Sequence, residues 1–337
     1  MKNLWKNNKR KIFIYSAAVG LLLLSALFGV LFGATRIDIS DVFSVIFKGD
    51  LNTPEGRILL YVRLPRVLGA ILSGGALAAS GAVIQGVLAN RLASPSIIGV
   101  NSGAGLAVTV CSALGIVGGF GLSLFAFLGA FITVMLVSLG AKKWGASRGT
   151  VILMGVAINS ILGALSDTVV TFVPDAGVMS NDFRVGDFSA VTYQKLLPSA
   201  VVIFATVILL LTLSNELDVL TLGDENARGL GLNTGVARMI FLLCAALLAG
   251  SAVCICGLLS FVGLLVPHAV RRISGGQAKH LIPLCALFGG GFVSLCDTLS
   301  RIVFSPYEIP VGIIMAFLGA PFFIFILIKS KGGHRNA

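Results

Sequence analysis

Long apolar runs, separated by short polar and charged segments, fill almost the whole chain. A helix needs about 20 predominantly apolar residues to cross a bilayer. That criterion predicts spans at 12–33, 64–86, 96–116, 119–140, 150–171, 196–214, 237–256, 257–271, 281–304 and 309–328. The eighth is short and bracketed by Gly257 and Pro267. Short or interrupted spans persist where protein or a cavity surrounds them. The expected fold class is all-α, a polytopic membrane protein of about ten transmembrane helices in a single domain over residues 1–337.

Composition agrees. The 337 residues are 56% hydrophobic and only 12% charged, and a soluble domain carries roughly twice that charged share. The 41 glycines fall mostly inside the apolar runs. In a soluble helix each would cost about 1 kcal/mol, but between membrane helices small residues let backbones approach closely. Gly74, Gly75 and Gly81 are expected at such contacts. At the N-terminus, Lys2, Lys6, Lys9, Arg10 and Lys11 precede the apolar run 12–33. A signal-peptide core has about 7–15 apolar residues, so this longer run reads as a retained first span.

The net charge of +11 raises the question of nucleic acid. The basic residues lie between apolar runs and at the ends, with no aromatic-interleaved basic face, which is the pattern of topology signals. Ten spans place both termini on one side. With the N-terminus in the cytoplasm, 17 Lys and Arg residues fall inside. Arg36, Lys48, Arg57, Arg63, Arg66, Arg184, Lys195 and Arg301 fall outside, and the bias favours this orientation. Arg63, Arg66 and Arg301 sit at predicted outer helix ends, where the rule disfavours them. Two readings stand: interfacial snorkelling, or a basic outer collar that docks an acidic partner.

Catalytic chemistry has no foothold in the sequence. No Gly-x-x-x-x-Gly-Lys-Ser/Thr phosphate loop and no His-Glu-x-x-His occurs. His268, His280 and His334 lie at predicted cytoplasmic helix ends or in the tail, as interfacial residues rather than metal ligands. All six cysteines lie within apolar stretches, without the aqueous loops or polar company that disulfides or zinc require. Neither metal nor cofactor is expected. Asp297 and Arg301 stand four apart on one helix face and are expected to pair within the membrane. Asp167 has no obvious partner, and buried carboxylates of the kind a proton-coupled transporter needs are few.

The longest predicted inner loop, 215–236, alternates charged with apolar residues and carries Gly223, Gly229 and Gly231. Short helices broken by turns fit that pattern, either as a docking element or as an ordinary solvated loop. An internal echo aligns 77–88 with 248–259, identical at six of twelve positions, on spans of opposite direction. Inverted-topology repeats require that arrangement, although Gly/Ala/Leu-rich sequence also produces such matches by chance.

Three blocks of residues resemble a known family. The first comprises Arg63-Leu-Pro-Arg66, Gly74 to Gly81, Gln85-Gly86, Asn90 to Pro95 and Gly99 to Ala104. The second is Phe261-Val-Gly-Leu-Leu-Val-Pro-His268 with Arg271, and the third runs from Asp297 through Arg301 to Glu308-Ile-Pro-Val-Gly312 and Gly319-Ala-Pro-Phe322. In this order they are similar to the iron-chelate and cobalamin (FecCD-type) permeases of bacterial ABC importers. Arg91 departs from the family's frequent Pro after Asn, and Asp167 belongs to no family motif.

The resemblance implies a permease of the bacterial cytoplasmic membrane with both termini cytoplasmic. It implies a second permease chain, identical or related, two ATPase subunits beneath and an extracytoplasmic substrate-binding protein above. Its loop between the sixth and seventh spans contacts the ATPase. That loop corresponds to 215–236, with Gly223, Asp224, Glu225, Asn226, Ala227, Arg228, Gly229, Leu230 and Gly231 at its centre. Its outer arginines pair with acids of the binding protein, at Arg63, Arg66 and Arg301. ATP hydrolysis then belongs to another chain. The implied cargo is a ferric siderophore or similar iron chelate, with cobalamin or haem as alternatives; a stand-alone secondary transporter is the rival class. The sequence assigns no substrate-binding residue.

Overall fold

Each of the ten predicted spans falls on a helix. The computed structural model describes residues 8–33, 53–116, 118–144 and 147–332. Lys2, Lys6, Arg36, Lys48, His334 and Arg335 of the charge reading lie outside them. In chain order the helices are α1 (Asn8–Leu31), α2 (Pro54–Val87), α3 (Val100–Ala113), α4 (Gly119–Lys143) and α5 (Arg148–Phe172). Then come the short α6 (Pro174–Met179) and α7 (Asn181–Val185), α8 (Tyr193–Thr212), and the short α9 (Ser214–Thr221) and α10 (Asp224–Gly229). The chain continues through α11 (Thr234–Cys256), α12 (Val262–Ser274), α13 (Ala278–Ile302) and α14 (Val311–Gly332). Among the described residues seven of these helices are long and apolar enough to cross a membrane; α3 and the Val311–Ile324 part of α14 are shorter apolar stretches.

α2 begins at Pro54, well before the predicted 64. Glu55, Arg57 and Arg63 exclude this stretch from an apolar window, yet its start carries strong helix signals. The Thr53 hydroxyl accepts from Gly56 N at 3.1 Å, Pro54 occupies the first turn, and Glu55 faces the positive helix end. Pro65 is accommodated by a π turn over Leu59–Arg63, in which Leu64 N reaches back to Leu59 O. Continuing that pattern, the N–H that proline lacks would have met Leu60 O. The Tyr193 hydroxyl donates to Leu60 O instead, at 2.8 Å.

The predicted span 257–271 is a shorter helix with a non-helical entry. Gly257 ends α11 with φ of 71°, and Phe261 starts α12 with φ of 67°, an unusual backbone for an aromatic residue.

The core forms around α2, which packs against α13, α11 and α12. Its small residues set the spacing. A Cβ at Gly74 would strike Gly289 O, and one at Gly75 would lie 2.8 Å from Ala286 O, both on α13. A Cβ at Gly81 would overlap the Gly263 carbonyl of α12. The expected close contacts of these three glycines are therefore present. Lipid tails are as apolar as leucine, so such fits rather than water exclusion drive helix association in a bilayer. Ser80 Oγ donates to Ala245 O at 2.8 Å, joining α2 to α11, the two helices that carry the internal echo. All six cysteines are buried and free, as core residues. α1, α5 and α8 are peripheral and expose large apolar side chains such as Phe13, Leu153 and Phe204.

Candidate functional site

At the expected outer end, the π turn and Pro65 aim Arg63 and Arg66 in different directions. Arg63 Nη1 donates to Val30 O at 2.7 Å and Leu31 O at 2.9 Å. Arg301 donates to Phe32 O and Gly29 O, each at 3.1 Å. Both guanidiniums therefore satisfy the carbonyls left open where α1 ends, and their charge suits the negative end of its dipole. The glycines of α1 leave room for them: Gly33 lies against Arg63 and Arg301, and Gly29 against Arg301.

Arg66 faces the acids. Its Nε lies 3.0 Å from Asp297 Oδ1, Nη1 donates to Glu308 Oε2 at 2.6 Å, and Nη2 lies 3.8 Å from Asp187 Oδ1. Asp297 Oδ2 is also 3.1 Å from Arg301, the expected i,i+4 pair. Three arginines and three carboxylates thus balance in charge. Asp187 is itself held by Phe188 N at 2.7 Å and by its own N–H on Cys256 O at 3.0 Å, which pins the loop before α8 onto α11.

An exposed arginine collar is not what forms here. Arg63, Arg66 and Arg301 are only 3%, 5% and 2% exposed. The reason is that the chain's own carboxylates and helix-end carbonyls occupy them. Asp187 and Glu308 were missed as partners because they lie far away in sequence, although Glu308 belongs to a quoted motif.

The motif blocks also meet elsewhere. Gln85 Nε2 donates to Gly263 O at 3.2 Å, Arg271 Nη2 donates to Ala82 O at 3.1 Å, and Gly319 of α14 packs directly on Phe261. Phe261 lines a cleft of about 600 Å³ together with Arg184, Leu258, Ser260 and the Gly312–Pro321 face of α14. A smaller cleft of about 200 Å³ shares Arg184 and Leu258 and adds Asn101, Ser102 and Ser166. Neither lining contains a carboxylate. Among the described residues no cluster of three metal-ligating side chains occurs. Asp167 is exposed on α5, near this region of the helix.

At the opposite end, the broken helices expected within 215–236 are α9 and α10. Leu217, Leu220 and Ala227 anchor them inward, and Leu217 packs on Gly86 of α2. Asp224 lies 2.7 Å from Arg238 and 3.7 Å from Arg148, and Arg148 donates to Leu220 O at 2.7 Å. Asp218 accepts the first N–H of α13, from Ala278, at 2.9 Å. Burial pushes the Asp218 carboxyl above its usual range, against the opposing pull of that N–H and of Arg271. Of Gly223 to Gly231, the outward-facing set is Glu225, Asn226, Arg228, Gly229, Leu230 and Gly231. A cleft of about 470 Å³ opens beside them between Arg228 and Gly235.

The architecture and sequence have close counterparts. Residues 21–329 match the model of the FecCD transport family. The chain is 33% identical to the Fe(3+)-citrate import system permease protein YfmE of Bacillus subtilis, over 97% of this chain and 98% of that one. It is 34% identical to the hemin transport system permease protein HmuU of Yersinia pestis, over 93% and 96% respectively. A solved inward-facing structure, described as a metal-chelate type ABC transporter, superposes with a TM-score of 0.81 at 30% identity, covering 95% of this chain and 99% of the other. With the helical core, the meeting of the three motif blocks and these relatives in agreement, the chain belongs to the FecCD transport family and is an ABC transporter permease subunit whose ATPase is a separate chain.

Proposed function

We propose that this permease imports an anionic iron chelate of the ferric-siderophore type. The observation that carries the reading is the pair of clefts around Arg184: one exposed cation, hydroxyl and amide groups, apolar walls and no carboxylate. Such a lining suits a large ligand with an apolar body and net negative charge. The names of the two relatives, one for ferric citrate and one for hemin, support a metal chelate and leave its ligand shell open.

In this reading the cleft faces a second permease chain across the path. Two ATPase subunits dock on the outward residues of α9 and α10, from the cytoplasmic side that also holds both termini. A substrate-binding protein docks at the Arg66 end. Arg63, Arg66 and Arg301 then act by fixing the shape of that surface rather than by touching the partner directly, with Glu308 at its rim. α5 transmits the motion: Arg148 holds α10 through Asp224, and the same helix carries Leu162, Gly163 and Ser166 to the cleft.

The test is uptake of radioiron-labelled chelates by cells lacking the gene and complemented with wild type or Arg184→Glu, with haem and cobalamin as parallel substrates. Restored uptake of an anionic ferric chelate, lost in Arg184→Glu at equal membrane expression, is expected. Restoration of haem or cobalamin uptake alone, or uptake without the ATPase that collapses with the proton gradient, would overturn the reading.

A further inference from the structure

Between α1, α12 and α13 runs an open groove of about 170 Å³ whose lining is wholly apolar, including Leu21, Leu265, Ala269, Ile273, Phe288 and Phe292. On α12 the groove residues recur one turn apart and end at Ile273, beside exposed Arg272. On α1, exposed Arg10 lies on the same face as Leu21, which sits about 16 Å further along the axis at the α-helical rise. Tyr15 of α1 bonds His280 at the start of α13, which follows the end of α12, so Arg10 and Arg272 lie toward the same end of the groove, outside its lining. Neither arginine enters an ion pair among the described residues. Asp218, the acid at the start of α13, is engaged by Ala278 N and faces Arg271.

We propose that this groove binds one anionic phospholipid, its acyl chain along Leu265, Ala269 and Phe288 and its phosphate between Arg10 and Arg272. Charge complementarity selects the occupant. An apolar helix of a partner protein would fill the groove equally well but gives no use to the two cations toward that end, whereas basic residues at helix ends recognise anionic headgroups. The inference concerns lipid and does not depend on which chelate is carried.

Native mass spectrometry of the purified full-length permease tests it, with phosphatidylglycerol, phosphatidylcholine of the same chains, and inorganic phosphate as separate probes. Wild type should retain phosphatidylglycerol preferentially. The double variant Arg10→Gln/Arg272→Gln should lose roughly tenfold or more of that preference, the scale of two interfacial cations. Ala269→Phe, which fills the groove, should weaken retention of both lipids. A diazirine on the acyl chain of phosphatidylglycerol, photolysed on wild-type protein alone, should label the peptide containing Leu265 to Ile273, and this arm requires no variant to fold. Equal retention of the two lipids by wild type, labelling confined to other helices, or displacement of phosphatidylglycerol by inorganic phosphate would each overturn the proposal.

Discussion

Arg66 and Asp297, 231 residues apart in sequence, meet at 3.0 Å in a buried ion pair that joins α2 to α13. Asp297 also holds Arg301 one turn along its own helix, and it is 1% exposed. One buried carboxylate therefore contacts two guanidiniums, while Glu308 and Asp187 supply further negative charge around Arg66.

Asp297→Ala is consequently expected to destabilise the protein by about 3–5 kcal/mol, the cost of leaving buried charge unpaired. Glu308→Gln, at a site whose side chain is 36% exposed, should cost only about 0–1 kcal/mol. Thermal unfolding of the purified variants in detergent compares the two. Similar losses for both would show that the network is solvated.

Tyr193→Phe removes a single donor, the hydroxyl that satisfies Leu60 O beside the π turn. A loss of about 1 kcal/mol is expected. Hydrogen exchange should rise locally at residues 59–66 and leave α11 unchanged. Uniform exchange across the molecule would mean that Tyr193 does not support this turn in particular.

Asp218 supplies a pH signature. Burial raises its folded pKa above the unfolded value, so the folded state holds the proton more tightly. Its contribution is most favourable at low pH and is lost as pH rises through the folded pKa. Asp218→Asn keeps an oxygen for the Ala278 N–H and cannot ionise. The difference in melting temperature, variant minus wild type, should therefore grow from about pH 4 upward through the weakly acidic range. A difference that shrinks over that range would reverse the assignment.

Leu230 and Arg228 project outward from the α10 region, and Leu230 is 65% exposed. Leu230→Asp should leave thermal stability within about 0.5 kcal/mol of wild type. With the partner ATPase added, it should abolish the permease-dependent part of ATP hydrolysis. Unaltered stimulation would place ATPase docking elsewhere on the chain.

Much of this architecture was legible because its signals are local. Apolar runs of bilayer length marked the helices, and Gly223, Gly229 and Gly231 marked a broken inner segment. The spacing of Asp297 and Arg301 announced their pair, since positions four apart share a helix face at short range. The start of α2 was not legible in an apolar window, because capping by Thr53 and Pro54 acts on a charged stretch that hydropathy discards. The three arginines show the same limit more sharply. Position and family resemblance mark them as important, but neither says which groups meet them.

The sequence by itself determined membrane residence, the places of the apolar helices and the absence of an ATP-binding phosphate loop, since hydrophobicity, length and residue type need no folded coordinates. It also determined the family, through blocks that keep their order. Only the tertiary structure decided that Arg63 and Arg301 close the end of α1 while Arg66 meets Asp297 and Glu308. Partners separated by hundreds of residues are chosen by how helices pack. Here glycines such as Gly74 and Gly81 let the backbones approach closely enough for buried charges to find one another.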